Sequence, residues 1–167
     1  MKKKIFRNYL ELKSFKDFKE VKKPSEDYSV ELVDPKDFQL NKFFYKNIGK
    51  NCHWVDRLVW TELDWTKYIS DKKISTYVLK NKDEMAGYFE LLFHKDTKEA
   101  EIAYFGILEE YFGRKLGGYL LSEAIKLSFK LDCIRVWVHT CSLDHKNALF
   151  NYQSRGMKIF KSEILTR

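Results

Sequence analysis

The sequence is poor in the residues that cross-link or interrupt a fold. Its 167 residues include three cysteines and two prolines. Cys52, Cys133 and Cys141 are odd in number and share no metal-type spacing, so free thiols in a reducing compartment are the expected state. Cys141 is close to the motifs described below, and a nucleophilic role for it stays open. We expect neither a disulfide framework nor a metal site.

The sequence also lacks a long apolar run and a secretion signal. No stretch approaches the roughly 20 apolar residues that span a bilayer. Residues 1–15 have a basic start but no continuous apolar core and no small-residue cleavage site. We therefore expect a cytoplasmic protein without a membrane partner. A hydrophobic content of 44% argues against disorder, and the length fits one domain over residues 1–167.

Positive charge dominates only at one end of the chain. Of the formal net charge of +7, residues 1–23 supply +6, with nine Lys or Arg against three Asp or Glu. The other 144 residues carry 22 basic and 21 acidic side chains, so they offer no basic stripe to a nucleic acid. We expect no nucleic-acid partner, and we interpret residues 1–23 as a basic N-terminal extension or an edge strand.

The apolar pattern predicts a mixed α/β fold without repeats. Strand-like alternation falls at residues 4–13, 28–33, 74–80, 85–94, 99–107, 133–141 and 157–167, the last as one strand or two. Helical spacing falls at residues 36–50, within 53–71, and at 113–131 and 144–156. Asp34 is the expected N-cap of the first helix, with Pro35 at its first position, and Asp144 is the expected cap of the last.

Three glycines surround the start of the predicted helix at residues 113–131. Gly117 and Gly118 stand inside the helical pattern and Gly113 just before it, although Gly costs about 1 kcal/mol in a helix interior. Arg114 and Lys115 stand where the helix dipole disfavours cations. An anion bound over the helix N-terminus explains both features. The alternative is a glycine pair that packs the helix on a sheet. The segment fits neither the Walker loop nor the dinucleotide fingerprint.

Two segments together resemble the GNAT superfamily of N-acetyltransferases, over about residues 30–160. YFGRKLGGYLL is similar to the family's phosphate loop, R/Q-x-x-G-x-G/A, although Phe112 replaces Arg or Gln. NALFNYQSRGMKIF is similar to its A-x-x-x-Y-x-x-x-G-F segment, with Ala148, Tyr152 and Gly156 in register. His145 takes the position of a usual Asn.

The resemblance implies a GNAT fold with acetyl-CoA as co-substrate and no metal. That fold has a mixed sheet of six to seven strands, flanked by about four helices. Its fourth and fifth strands, residues 99–107 and 133–141 here, splay apart around the co-substrate. The implied co-substrate contacts are Tyr104, Phe105, Gly106, Ile107, Phe112, Gly113, Arg114, Lys115, Leu116, Gly117, Gly118, His145 and Ala148.

The implied reaction moves an acetyl group to a primary amine of a small molecule or protein, by direct attack through a tetrahedral intermediate. Tyr152 matches the residue that protonates the leaving thiolate, or it is a core tyrosine. Glu101 is the first candidate for the base, because a carboxylate facing a dry cleft has a raised pKa. The alternative is a solvent-facing Glu101. Glu90 is a further carboxylate, and His139 is either a proton relay or a structural histidine.

The sequence predicts less about the acceptor site than about the co-substrate site. Trp54 and Trp60 lie where the family walls its acceptor pocket, and they contact the acceptor or belong to the core; Glu90 and His139 are further candidates for contact. The identity of the amine stays open. A non-catalytic acyl-CoA-binding or sensory module is the alternative function, and pairing of terminal strands would give a homodimer.

Overall fold

The computed structural model describes residues 2–167, which form one seven-stranded mixed sheet with four α-helices. The strands are β1 (Lys4–Leu12), β2 (Tyr28–Leu32), β3 (Ile74–Asn81), β4 (Glu84–His94), β5 (Glu99–Ile107), β6 (Arg135–Cys141) and β7 (Lys158–Thr166). The helices are α1 (Phe38–Cys52), α2 (Glu62–Ile69), α3 (Leu116–Lys130) and α4 (Ala148–Ser154). The expected fold class is therefore confirmed.

The strand order, β2-β3-β4-β5-β6-β1-β7, puts the N-terminal strand inside the sheet. Tyr9 of β1 pairs with His139 of β6 on one side and with Lys161 of β7 on the other. Leu10 and Leu12 are 0% and 2% exposed, so the alternation of β1 buries one of its faces in the core. The expectation of an edge strand or extension at this end is wrong.

The neighbouring strands β5 and β6 splay apart, as expected. Their parallel pairing covers residues 99–101 of β5 and 135–137 of β6 and then stops. A bulge at Ala103 accompanies the parting, because Ile102 and Tyr104 face consecutive residues of β4. Beyond Glu101, the β6-facing edge of β5 is left without a strand partner. Its peptide groups can bond to a ligand instead.

Helices cover the two faces of the sheet on either side of this gap. An added Cβ on Gly106 would lie 2.5 Å from Ile48, so the bare backbone lets α1 approach β5 closely. The preceding residue, Phe105, points to the opposite face of the sheet and contacts Tyr152 of α4, with ring centroids 6.2 Å apart. The gap between β5 and β6 therefore opens towards α1 on one face and towards α3 and α4 on the other.

Two helix starts differ from the expected ones. The N-cap of α1 is Asp37, which accepts a hydrogen bond from Gln39 N at 2.9 Å, and not Asp34. The core-facing positions of α1 begin only at Asn41, so a helix from Pro35 would add a turn with nothing to bury. Only residues 62–69 of the aromatic segment are helical, and Thr61 and Asp64 form a capping box at their start.

Candidate functional site

The gap between β5 and β6 forms a cleft of about 650 Å³. Most of the residues predicted from the sequence line it, and they come from β5, the α3 N-terminus, α4 and β6. These residues are Trp54, Tyr104, Phe105, Gly106, Ile107, Phe112, Gly113, Lys115, Leu116, Gly117, Gly118, His139, His145, Ala148 and Tyr152. Four predicted residues, Arg114, Trp60, Glu90 and Glu101, lie outside the lining. Cys141 and Asp144, which the sequence also brought into question, lie within it.

The loop before α3 presents free backbone amides to the cleft. Among residues 2–167, no protein acceptor bonds the amides of Gly113, Arg114 or Lys115. Lys115 is the N-cap of α3 but gives no side-chain cap, so the first amides of the helix also lack an acceptor. The amide of Phe112 does donate, to Glu109 O at 3.1 Å. The free amides therefore start at Gly113, one residue later than the resemblance implies.

The three glycines of this segment serve different purposes. Gly113 has φ +79° and an added Cβ would meet nothing within 4 Å, so its conformation requires glycine. At Gly118 an added Cβ would lie 2.7 Å from Arg155 and 3.1 Å from Val21, which is close packing within the protein. At Gly117 the sole neighbour is Asn151 at 3.4 Å. The packing interpretation thus holds for Gly118, while Gly117 leaves space beside the cleft.

The two cationic side chains of the loop also differ in their position relative to the cleft. The guanidinium of Arg114 lies over the ring of Tyr111, 4.7 Å from its centroid and outside the cleft. Lys115 has φ +61° and lines the cleft. Of the two, Lys115 is therefore the cation beside the free amides.

Tyr152 is a buried side chain that borders the cleft. It is 6% exposed, and burial raises the pKa of its hydroxyl well above the ordinary value. Burial and the charges of Asp144 and Cys52 act on this hydroxyl, and no hydrogen bond to it is found among residues 2–167. The hydroxyl therefore stays protonated at neutral pH, and its O–H is available to a ligand in the cleft.

Asp144 and His145 shape the turn that follows β6. The carboxylate of Asp144 accepts from Thr140 Oγ1 at 2.6 Å and from Cys141 N at 3.0 Å. It therefore closes this turn, and the expected capping of the last helix is wrong; the N-cap of α4 is Asn147. The ring of His145 lies 5.1 Å from that of Phe112, so the two side chains meet at the rim of the cleft.

His139 faces the other side of the sheet from Tyr152. It alternates with Val138 and Thr140, which are buried on the α3 side, and its ring lies 5.5 Å from that of Tyr9. Burial and the positive charge of Arg7 lower the pKa of His139. Its imidazole is therefore neutral at pH 7 and able to accept a proton.

Glu101 lies before the strands part. Burial raises the pKa of its carboxyl, as expected for a base, but the carboxylate faces His94, with Oε2 3.7 Å from Nε2. On the same face of β5, Glu99 bonds to Arg135 at 3.2 Å. Neither carboxylate lines the cleft, so the geometry gives Glu101 no direct access to a ligand bound there.

Glu90 belongs to a buried network between β4 and the helices. It is fully buried and accepts hydrogen bonds from Arg57 at 3.1 Å, Tyr68 at 2.7 Å and Asn41 at 2.8 Å. All the strong donors around this carboxylate are therefore provided by the protein, and Glu90 has the surroundings of a structural ion pair.

Arg57, the partner of Glu90, is a residue that the sequence analysis did not single out. Its guanidinium lies within 4.1 Å of the ring centroids of Tyr68 and Tyr104 and 4.7 Å from that of Trp60. Trp60 thus packs on Arg57, whereas Trp54 lines the cleft with its ring 5.0 Å from that of Tyr104. An arginine amid aromatic residues was the available signal, since cations stack on such rings.

Two thiols, those of Cys52 and Cys141, border the cleft. Burial raises the pKa of Cys52 to about 11, so its thiol is protonated and unreactive at neutral pH. Cys141, on β6, pairs with Arg7 of the neighbouring strand β1. Within residues 2–167, no three His, Cys, Asp or Glu side chains are placed to hold a metal ion. No helix in that range is long and apolar enough to cross a membrane.

The family is shown by comparison of the sequence with protein-family models. The model of the acetyltransferase (GNAT) family matches residues 38–157, which is more than half of the chain. The chain belongs to the GNAT acetyltransferase family. No curated protein sequence matches it.

Solved structures with the same fold are distant in sequence. A GCN5-related N-acetyltransferase from Sphaerobacter thermophilus superposes with TM-score 0.72 at 13% identity, covering 97% of this chain and 50% of its own. One from Kribbella flavida gives 0.68 at 11%, covering 96% and 56%. An aminoglycoside acetyltransferase from an uncultured soil metagenomic sample gives 0.65 at 12%, covering 80% and 90%. The chain spans about half the length of the first two, and these likenesses show the fold alone.

The buried pair of Arg57 and Glu90 makes a prediction about stability. In Glu90→Leu the Arg57 charge stays buried without its counter-ion, so we expect the free energy of unfolding to fall by about 3–5 kcal/mol. The double variant Glu90→Leu/Arg57→Leu removes both charges and should lose less than the two single variants added together. Urea unfolding followed by tryptophan fluorescence measures both. The control Glu31→Leu, at an exposed carboxylate that pairs with Lys80 at 2.8 Å, should cost less than about 1 kcal/mol; a Glu90→Leu protein as stable as this control contradicts the structural role.

Proposed function

We propose that this protein is an acetyl-CoA-dependent N-acyltransferase that moves an acetyl group to a primary amine. The observation that carries the proposal is the meeting, in one cleft, of the free amides from Gly113 onward and the unpartnered Tyr152 hydroxyl. Family membership supports acyl transfer in general. The similar fold of an aminoglycoside acetyltransferase is in keeping with an amine acceptor, and the free thiols are in keeping with a cytoplasmic location.

The loop at Gly113–Gly118 is the proposed binding site for the diphosphate of coenzyme A. Several amides converge there at the positive end of the α3 dipole, and Lys115 adds a charge beside them. Such a helix start favours phosphate groups. The unpaired edge of β5 from Tyr104 to Ile107 would bond the amide groups of the pantetheine arm.

The proposed chemistry divides between the two faces of the sheet. Acetyl-CoA supplies an activated acyl group as a thioester. The acceptor attacks as the neutral amine, after its ammonium form, with a free pKa of about 10.4, has lost one proton to water. On the α1 face, neutral His139 takes the second proton, which the nitrogen loses as it bonds to the carbonyl carbon. On the α4 face, Tyr152 gives its proton to the departing sulfur as the new carbon–nitrogen bond forms and the carbon–sulfur bond breaks. We assign the base to His139 and not to Glu101, because His139 lines the cleft.

The free-amide loop can be tested by blocking it. A valine at Gly117 projects beside the cleft, where an added Cβ meets only Asn151 at 3.4 Å, so the fold should survive. We expect Gly117→Val to raise the Kd for acetyl-CoA by about tenfold or more, measured by calorimetry, since tenfold corresponds to about 1.4 kcal/mol. Gln153→Val, on the exposed face of α4 outside the cleft, is the matched control and should bind normally. Equal affinities in the two variants would refute the proposed diphosphate site.

Tyr152→Phe tests whether the cleft catalyses a reaction. The variant keeps the ring and loses the proton, so release of thiol over a panel of amines should fall about 100-fold or more while the Kd for acetyl-CoA stays within twofold. Tyr119→Phe is the matched control, because Tyr119 is also 6% exposed but lies outside the cleft lining. Unchanged turnover in Tyr152→Phe removes the tyrosine from the mechanism.

A non-catalytic acyl-CoA-binding module is the second candidate. Two observations favour it: the Phe112 amide is already bonded to Glu109, and both candidate carboxylates lie outside the cleft. The wild-type protein separates the two functions, because the module binds acetyl-CoA in the calorimeter yet releases no thiol with any amine. Failure to bind acetyl-CoA at millimolar concentration contradicts both candidates.

The assignment of His139 predicts a pH dependence. A base works in its deprotonated form, and burial and Arg7 place the pKa of His139 below 6.5. We therefore expect the kcat of the wild-type protein to be independent of this group at pH 7 and to decline on the acid side of pH 6.5. His139→Gln should lower kcat by about 100-fold and remove this acid limb. A variant that keeps the limb shows that another group, such as Glu101, is the base.

A further inference from the structure

Arg7 is a cation at the cleft wall whose hydrogen-bonding capacity is largely unused. Its guanidinium has five N–H donors but makes a single, long hydrogen bond, from Nη1 to Tyr9 Oη at 3.4 Å. Its Nε is buried without a partner among the described residues. The side chain is 25% exposed and lines the cleft. Because a buried donor without an acceptor costs free energy, this position favours a ligand that supplies one.

The nearest carboxylate does not satisfy Arg7. Glu163 Oε1 is 3.6 Å from Nη1, beyond hydrogen-bond distance, and its strong bond is to the Tyr9 hydroxyl at 2.6 Å. Glu163 also lies 3.8 Å from Lys161. A single acid shared in this way reduces the local positive charge without occupying the donors of Arg7. The free donors of Arg7 therefore suit an anionic group with two acceptor oxygens, such as a carboxylate, which an arginine binds through two parallel hydrogen bonds.

Other arginines of the fold show what satisfied side chains look like. Arg135, on the same face of β6, bonds to Glu11 at 2.7 Å and to Glu99 at 3.2 Å. Arg57 bonds to Glu90 at 3.1 Å, and Arg155 bonds to Lys19 O and to Asn151 at 2.9 Å each. Among the arginines of residues 2–167, Arg7 alone has a buried side-chain nitrogen without a partner, and this side chain lines the cleft.

Arg7 is also close to the proposed base. In the ladder between β1 and β6, Arg7 pairs with Cys141 and Tyr9 pairs with His139, so Arg7 and His139 are diagonal neighbours on one face. Side chains in that relation are within reach of each other, and the charge of Arg7 lowers the pKa of His139. A group held by Arg7 would present the rest of its molecule to His139.

We propose that Arg7 binds a carboxylate of the acceptor, so that the acceptor is an amino acid or another small amine that carries a carboxylate. The inference rests on the proposed function and names the acceptor class of that same site. Arg167 adds a second cation to the lining, 3.8 Å from the exposed Asp56. Arg7 fixes the orientation of the acceptor, while His139 accepts its proton.

The test compares amines that differ only in a carboxylate. Acetylation is measured for phenylalanine against phenethylamine, tyrosine against tyramine, and lysine against cadaverine. In the wild-type protein we expect kcat/KM for the carboxylate member to be higher by about 10- to 100-fold, the value of hydrogen bonds between charged groups. Arg7→Met should bring this ratio close to one, chiefly by raising KM for the amino acid. Arg7→Lys, which keeps the charge without the planar fork, should give an intermediate ratio.

Arg135→Met is the matched control, since Arg135 lies on the same face with a similar exposure of 21% but outside the cleft. It should keep the wild-type ratio. The proposal is overturned if wild-type protein acetylates the decarboxylated amines as well as the amino acids, or acetylates neither series. It is also overturned if Arg7→Met, folded by its unfolding curve, keeps the wild-type ratio. Calorimetry with acetyl-CoA is independent of these outcomes, so retained binding there separates a wrong acceptor class from a wrong function.

Discussion

The parting of β5 and β6 after three residue pairs is the constraint on which the cleft depends. A parallel pair that continued would bond the peptide groups of Tyr104–Ile107 to β6 and leave no gap. The bulge at Ala103 changes the twist of β5 at this point. Gly106 then lets Ile48 of α1 contact the backbone of β5 directly. Helix α1 thus packs directly on one face of the opened edge.

The position of β1 determines which residues surround His139 at the β6 side of the cleft. The N-terminal strand lies between β6 and β7, so His139 pairs with Tyr9 of the first ten residues, and β7, from the last ten, pairs with the other edge of β1. Residues 13–27 then return across α3, where the amide of Val21 donates to Ser122 at 2.9 Å. The excess of basic residues in 1–23 therefore lies in β1 and in the segment that follows it. One of these residues, Arg7, lines the cleft.

How far the sequence predicts this molecule depends on how local each signal is. The α3 loop and the α4 segment were predictable because glycine spacing and the Tyr152 motif act within a few residues. The place of β1 was not, since the partner of Tyr9 on β6 is 130 positions away and nothing in KIFRNYLEL identifies it. The ion pair of Arg57 and Glu90 spans 33 positions. In the sequence, neither residue shows that the fold buries it or that the other is its partner. Glu90 was therefore considered as a free carboxylate at the site.

The same distinction separates the two proposed substrates. On the α3 face, the groups offered to a ligand are backbone amides whose direction is set by φ at Gly113 and Lys115. Many sequences can build such a loop, so it is typical of a family and says little about one member. On the α1 face, the groups are the side chains of Arg7, His139 and Trp54, brought together from β1, β6 and the segment after α1. We expect a change in any one of them to alter the acceptor without disturbing the proposed diphosphate site. Because a distant match in sequence preserves the first kind of group and not the second, the acceptor class has to be inferred from the unsatisfied donors of this chain.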